Sequence, residues 1–299
     1  ILDYSNDLYE NAQSVRTEEG RKAFADFAEA AAGRYSGQNV LWEVWNEPNL
    51  KKFWSPQPSV EDYCKLVRKT APRIRRADPS GMVLAGATSE VDLEWLEKCF
   101  ERGLLRWVDA VSVHPYRGEP PETVIEDYAR LRDMVERHAP DDREIPIVSS
   151  EWGYDAPAPK TARYMTRMFL INKYRDVSVS IWYMWKNGNR RFGVVNNDLE
   201  PKPGYRAMQT LADTLDGYRV VDRLPAESDR DYVLKLQKGN RTAFALWTTG
   251  EEHELSLPFS AAHCRVVTMV GDEREFSREE GDTVTVSGSP RCVIPGGDE

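Results

Sequence analysis

Short apolar runs alternate with helical patterns from residue 1 to about residue 216, and this alternation constrains the fold more than any other feature. Near-continuous apolar runs such as MVLAGA and VDAVSV are typical of strands that are buried on both faces of a parallel sheet. Between such runs, apolar residues recur at the spacing of amphipathic helices, as they do over residues 60–74. The alternation therefore predicts parallel strands that are covered by helices.

Two architectures fit this alternation, a (β/α)8 (TIM) barrel and a doubly wound sheet. A doubly wound sheet normally carries a glycine-rich phosphate-binding turn after its first strand, and no such turn follows the opening run ILDY. We therefore predict a barrel. It is an incomplete one, because the chain offers about six strand–helix units, with ILDY as the first strand, where a closed barrel has eight.

From about residue 218 the pattern changes to apolar–polar alternation with a period of two. The runs YVLKLQ, RTAFALWT, HELSLP, RVVTMV and TVTVSG are separated by turn residues, which predicts a small antiparallel β-sandwich. We predict a catalytic domain over residues 1–216 and an accessory domain over residues 217–299. Cys264 and Cys292 both fall in the second region and could form a disulfide.

The net charge of the chain limits the kinds of partner that it can bind. The net charge is -9, from 40 Lys and Arg against 49 Asp and Glu, which argues against nucleic acid or an anionic membrane and fits a neutral substrate. The sequence has no apolar run long enough to cross a bilayer and no visible leader, so the compartment stays unassigned. Four scattered histidines and cysteines without a C-x-x-C pair predict neither a metal site nor a cofactor.

Polar side chains follow three of the predicted strands at the point where each strand ends. Glu47 lies in WNEP, His114 and Tyr116 lie in SVHPYR, and Glu151 lies in VSSEWG. The carboxyl ends of the strands form the active-site face of a barrel, so these side chains should converge. Two facing carboxylates are the minimal equipment for cleaving a glycosidic bond, one as acid and the other as nucleophile or base.

Several neighbouring residues have more than one interpretation. Glu43 shares the strand face of Glu47 and has two interpretations: a carboxylate of the barrel interior that is held by hydrogen bonds, which we favour, or a directly catalytic group. His114, taken without its neighbours, would be a buried structural histidine. Trp54 and Trp152 are compatible both with a sugar-binding role and with packing.

The ordered set of motifs resembles the clan A glycoside hydrolases, and most of all their families 39 and 5. The resemblance lies in WEVWNEPN, VSVHPY, SSEWGY, IWYMW and KPGYRAM, and it extends over about residues 1 to 216. It implies a retaining mechanism in which Glu47 is the general acid/base and Glu151 is the nucleophile. It also implies that Asn46 binds the sugar 2-hydroxyl, that His114 and Tyr116 support the carboxylates, and that Trp182 or Trp185 forms the floor of the sugar subsite.

One departure from the family concerns the start of the chain. ILDYSND resembles the third strand of the family and its loop, so the first two strand–helix units and an arginine beside the nucleophile have no counterpart. Three explanations are open: a trimmed piece, a wall supplied by another subunit, or a naturally incomplete barrel. Because an open sheet exposes apolar edges, we predict a homo-oligomer that covers Ile1–Tyr9 and Ser178–Trp185.

These observations predict a retaining glycosidase that acts on a β-glucoside, β-galactoside or β-xyloside. The sugar, the linkage and the choice between exo and endo action stay open. The alternative is a carbohydrate-binding pseudoenzyme with an incomplete barrel. A metal-dependent barrel hydrolase would need clustered His and Asp ligands, which this sequence does not offer.

Overall fold

The computed structural model describes residues 1–4, 6–10, 14–187, 190–277, 279 and 281–296. The chain forms two compact units. The first comprises Ile1–Arg117, Thr123–Trp152 and Val177–Ile181, and the second comprises Gly118–Glu122, Gly153–Asp176 and Trp182–Glu299. The predicted division into a catalytic domain (1–216) and an accessory domain (217–299) stays a prediction.

The first unit is built on a five-stranded sheet whose order follows the chain, β1-β2-β3-β4-β5. Strands β1 to β4 pair in parallel, and β5 adjoins β4. This agrees with part of a (β/α) barrel. The strands are β1 (Leu41–Glu43), β2 (Met82–Ser89), β3 (Ala110–His114), β4 (Ile147–Trp152) and β5 (Val179–Trp182). The helices of this unit are α1 (Glu18–Arg34), α2 (Val60–Ala77), α3 (Leu93–Glu101) and α4 (Ile125–His138), with a 3-10 turn at Leu104–Arg106.

The strand predicted for ILDY is reduced to a single bridge, so the sheet has five strands where six were predicted. Leu2 pairs in parallel with Val44, donating to the carbonyl of Glu43 at 2.8 Å and accepting from the amide of Trp45 at 2.7 Å. Tyr4 then takes a φ of 66°, which is incompatible with an extended strand. The segment therefore lies where a further strand would lie, but it follows β1 for one residue only.

Side-chain caps begin two of the helices. The hydroxyl of Thr17 accepts from the amide of Gly20 at the start of α1, and the hydroxyl of Ser59 accepts from the amide of Asp62 at the start of α2. A core cluster of Leu84, Ala110 and Val148 joins the neighbouring strands β2, β3 and β4. Helices and core together fix the strand ends that carry the candidate site.

The second unit contains two antiparallel sheets, one of six strands in the order β11-β10-β13-β8-β7-β6 and one that pairs β12 with β9. Residues from both sheets, among them Val233, Leu255 and Val286, form one core cluster. The antiparallel β-region is thus confirmed, while its description as a sandwich stays a prediction. The strands are β6 (Arg219–Arg223), β7 (Asp231–Lys238), β8 (Arg241–Thr248), β9 (His253–Ser256), β10 (His263–Thr268), β11 (Glu273–Ser277), β12 (Thr283–Val286) and β13 (Arg291–Pro295), and the helices are α5 (Ala158–Tyr174) and α6 (Pro203–Leu215), with a 3-10 turn at Pro121–Val124.

The suggested disulfide between Cys264 and Cys292 is wrong. Neither cysteine forms a disulfide, and both thiols are buried. They lie on neighbouring strands, but the register sets Cys264 opposite Pro295 and Cys292 opposite Val267. Within the described residues, none of the helices has the length and apolar character that a membrane crossing requires.

Candidate active site

Glu47 lies just beyond β1, where the chain leaves the regular strand. Its amide donates to the carbonyl of Ala87 at the end of β2, at 2.8 Å. The backbone reaches this position through positive φ angles at Trp45 (72°) and at Glu47 itself (43°), which non-glycine residues rarely adopt. The buried indole of Trp45 anchors the turn by donating to the carbonyl of Phe53 at 2.9 Å. The unusual backbone directs a largely buried Glu47 to the end of the sheet.

His114 ends β3 and stands between two carboxylates of the β1 region. Its Nδ1 lies 3.4 Å from Oε1 of Glu47, and its Nε2 lies 3.8 Å from Oε1 of Glu43. All three side chains are buried. Ser150 of β4 donates from its hydroxyl to the same Oε1 of Glu43 at 2.6 Å, so Glu43 is held within the sheet interior as predicted.

The two carboxylates determine the charge of His114. Burial alone would lower the pKa of the imidazole, but Glu43 and Glu47 outweigh it and raise the pKa of His114 to about 9. For Glu43, burial raises the pKa, but His114 and the hydroxyls of Ser112 and Ser150 outweigh burial and lower it overall. At neutral pH His114 is therefore an imidazolium, and its charge offsets the repulsion between closely spaced acids.

Glu151 lies near the end of β4 and accepts a hydrogen bond from the hydroxyl of Tyr116 at 2.7 Å. Burial raises the pKa of the Glu151 carboxyl. His114 and Tyr116 lower it, and the carboxylate of Glu47 raises it. The two glutamates are thus close enough for one charge to affect the ionisation of the other, which is the relation that a pair of catalytic carboxylates needs.

Asp3 is a further carboxylate at this end of the sheet, and the sequence analysis missed it. It follows Leu2, the residue that pairs with the β1 region. Burial raises the pKa of Asp3, and the carboxylates of Glu43 and Glu151 raise it further. The signal was present, because Asp3 follows the apolar start of ILDY just as Glu47 follows β1.

The remaining predicted residues are distributed over both units. Asn46 is half-buried beside Glu47 in the first unit. Trp182, the last residue of β5, and Trp185 are both counted in the second unit. The indole of Trp182 donates to the carbonyl of Phe192 at 2.9 Å, and the ring of Trp185 is 60% exposed beside Tyr205. Their predicted role, like that of Asn46, stays a prediction.

Trp54 and Trp152, for which a sugar-binding role was open, are both completely buried. Trp54 packs edge-on against Trp45, with 5.1 Å between ring centroids. The guanidinium of Arg117 lies over the ring of Trp152 at 5.7 Å. Both residues therefore have the packing role. In the described part of the chain, no group of three or more His, Cys, Asp or Glu side chains is arranged to hold a metal ion.

A parallel β/α sheet with a glutamate just beyond β1, a His-x-Tyr pair that begins on the last residue of β3 and a second glutamate on β4 is the arrangement of the clan A glycoside hydrolases. Residues 1–188 match the cellulase family, glycosyl hydrolase family 5. Because this match spans more than half of the chain, the chain belongs to that family.

Two curated relatives share sequence similarity with the chain. A β-xylosidase from Caldicellulosiruptor saccharolyticus is 24% identical over 271 residues, which cover 75% of this chain and 54% of the relative. A β-xylosidase from Geobacillus stearothermophilus is 32% identical over 126 residues, which cover 34% of this chain and 24% of the relative. The chain thus spans about half of the first relative and a quarter of the second.

Solved structures show the same fold. A family 39 glycoside hydrolase from Bacteroides cellulosilyticus WH2 matches with a TM-score of 0.82 and 22% identity, over 94% of this chain and 63% of that chain. A family 39 β-xylosidase from Caulobacter crescentus matches with a TM-score of 0.67 and 18% identity, over 99% of this chain and 79% of that chain. The fold is therefore family 39-like.

Proposed function

We propose that this chain is a retaining glycoside hydrolase that cleaves β-glycosidic bonds with Glu47 as general acid/base and Glu151 as nucleophile. The observation that carries the proposal is that the two glutamates contact His114 and Tyr116, two side chains at the same end of the sheet. Oε1 of Glu47 lies 3.4 Å from Nδ1 of His114. Glu151 accepts a hydrogen bond from Tyr116, which follows His114 by two residues. The carboxylate of Glu47 also raises the pKa of Glu151.

The proposed reaction has two steps. In the first, Glu47 protonates the glycosidic oxygen while the carboxylate of Glu151 attacks the anomeric carbon, forming a glycosyl-enzyme and releasing the aglycone. In the second, Glu47 removes a proton from water, which attacks the anomeric carbon and releases Glu151. The hydrogen bond from Tyr116 favours the ionised form of Glu151 that attack requires.

The substrate class follows the predicted range of β-glucoside, β-galactoside and β-xyloside. Both curated relatives are named β-xylosidases, so an aryl β-xyloside is the first substrate to test. Asn46 is proposed to bind the sugar 2-hydroxyl. A carbohydrate-binding pseudoenzyme is the less favoured reading, because both glutamates and their His114 and Tyr116 neighbours are present.

Two alanine variants test the assignment. Glu151→Ala should abolish hydrolysis of an activated aryl β-xyloside, because no nucleophile remains. Glu47→Ala should reduce turnover of a poor leaving group by about 10²–10⁴-fold and that of a highly activated leaving group much less, since only the former needs protonation. Steady-state rates on both substrates measure this. Near-wild-type rates in both variants would refute the assignment.

A further inference from the structure

A tyrosine hydroxyl interrupts the hydrogen-bond ladder between β1 and β2 next to Glu47. Tyr63 lies in the first turn of α2 and is completely buried. Its hydroxyl donates to the carbonyl of Val44 at 3.1 Å and accepts from the amide of Gly86 at 2.8 Å. One hydroxyl therefore satisfies a buried acceptor on one strand and a buried donor on the next.

The position of this hydroxyl in the ladder is well defined. The parallel register pairs Glu43 with Leu84, and the amide of Val44 donates to the carbonyl of Leu84 at 3.0 Å. In a regular parallel ladder the next bond would run from the amide of Gly86 to the carbonyl of Val44. The Tyr63 hydroxyl stands between those two groups. Beyond it, the next bond between the two segments runs from the amide of Glu47 to the carbonyl of Ala87.

The side chains change faces at the interruption. Glu43 faces the interior of the sheet, where Ser150 of β4 reaches it although β2 and β3 lie between. In a regular strand Trp45 would point the same way as Glu43. Instead its ring packs against Phe24 of α1, with 5.8 Å between ring centroids. The side chain of Glu47 again points towards His114. The interruption thus sends the bulky indole to the helix layer and brings the carboxylate to the site.

Groups on β2 and β3 hold the other side of the interruption. Gly86 has a φ of 113°, and a Cβ there would lie 2.5 Å from the carbonyl oxygen of Ser112, so only glycine fits. The hydroxyl of Ser112 accepts from the amide of Ala87 at 3.2 Å, and Ala87 in turn accepts from Glu47. Tyr63 and Ser112 therefore hold, from two sides, the backbone from which Glu47 projects.

We propose that Tyr63 is a positioning residue that sets the direction of Glu47, with Ser112 as its counterpart on β3. The proposal rests on the proposed function for the role of Glu47 and adds a residue to that site. Without the hydroxyl, the amide of Gly86 can donate directly to the carbonyl of Val44, and the backbone between Val44 and Glu47 takes another course. Burial raises the pKa of Tyr63 well above its ordinary value, so the phenol keeps its donor throughout any practical assay range.

The test compares Tyr63→Phe with Tyr128→Phe on two aryl β-xylosides that differ in leaving group. Tyr128 is a matched control, because it is also completely buried and makes no hydrogen bond to the backbone among the described residues. General acid catalysis contributes about 10²–10⁴-fold, so Tyr63→Phe should lose about tenfold or more on the poor leaving group. The loss on the activated one should be much smaller, and Tyr128→Phe should affect both substrates alike.

An equal loss on both substrates in Tyr63→Phe, or no loss on either, would overturn the proposal, because a merely structural residue does not discriminate between leaving groups. If Tyr63→Phe does not fold, Ser112→Ala answers the same question. It should show the same selective loss in weaker form, and a uniform loss or none again overturns the proposal.

A crystal structure of Tyr63→Phe separates this proposal from the proposed function. If the wild type turns over neither substrate, the proposed function is refuted. The crystal structure of the variant then still tests whether Tyr63 positions Glu47. Movement of the Glu47 carboxylate away from His114 supports that role, and an unchanged Glu47 overturns it.

Discussion

The ionisation of Glu151 depends on the hydroxyl of one neighbour, which makes it accessible to a single substitution. Burial raises the pKa of Glu151, and the hydrogen bond from Tyr116 lowers it. In Tyr116→Phe this hydrogen bond is lost while the opposing charge of His114 remains, so the pKa of Glu151 should rise further. If Glu151 is the nucleophile, the acidic limb of the kcat/KM profile should move to higher pH, with a severalfold loss at the acidic end and a smaller one near neutrality.

The pH profiles of the wild type, Tyr116→Phe and Tyr128→Phe measure this effect. The last variant removes a buried hydroxyl from α4 and should leave the limb in place. A limb that stays fixed in Tyr116→Phe, or that moves to lower pH, would contradict the assignment of Glu151.

At the same scale, the sequence predicts residues whose place in the fold follows from strand position alone. Glu47, His114, Tyr116 and Glu151 were predicted because polar residues at the ends of parallel strands face a common edge. Tyr63 could not be predicted in this way. In the sequence it occupies an ordinary core-facing position of an amphipathic helix, and only the tertiary arrangement shows that its hydroxyl enters a ladder between two strands.

Among the elements, the β1–α2–β2 connection depends on one buried carboxylate at the end of α2. Asp78 accepts from the indole of Trp42 on β1 at 2.9 Å, from the hydroxyl of Ser80 at 2.7 Å and from the amide of Gly37 at 3.2 Å. These donors, with Trp42 as the largest cause, lower the pKa of Asp78 to about 2 from its ordinary 3.8. A lowered pKa in the folded state stabilises the fold above the ordinary pKa, and this contribution is lost as the pH falls through about 2.

Asp78→Asn should therefore lower the free energy of unfolding at neutral pH, because the amide group presents a donor to groups that are all donors. The difference from the wild type should shrink as the pH falls from about 4 to about 2, because the carboxyl of the unfolded wild type binds its proton in this range before that of the folded protein does. Chemical denaturation over a pH series measures it, with Asp133→Asn on the exposed face of α4 as a charge-matched control. A difference that is constant with pH would contradict this account.

The elements themselves were predicted unevenly, for physical reasons. The helix starts after Thr17 and Ser59 can be predicted from the sequence, because capping depends on local sequence. Strands β6, β11 and β13 were missed. β6 and β11 are largely exposed and polar, as RVVDR and EREFS, and RCVIP of β13 has a continuous apolar run instead of alternation. These strands form because of their neighbours in the sheet and not because of a strong pattern of their own.

Over the whole of the first unit, burial falls towards both ends of the sheet. Every residue of β3 in the middle is buried, whereas Ile181 of the edge strand β5 is 47% exposed. At the opposite end, Leu8 is 84% exposed and Phe27 of α1 is 54% exposed. The number of strands predicted open ends, and the sequence analysis assigned their cover to a second copy of the chain, which stays a prediction.

We expect a second copy of the chain to cover these ends, because an exposed strand edge flanked by apolar side chains is unstable in water. The 299-residue chain should therefore run as a dimer or larger homo-oligomer in size-exclusion chromatography with light scattering at micromolar concentration. Leu8→Lys and Ile181→Lys each place a charge on one end and should shift the population towards the monomer. The exposed substitution Asp133→Asn should not. A wild type that is monomeric across the concentration range would contradict the expectation, since the apolar ends would then be stable in water without a partner.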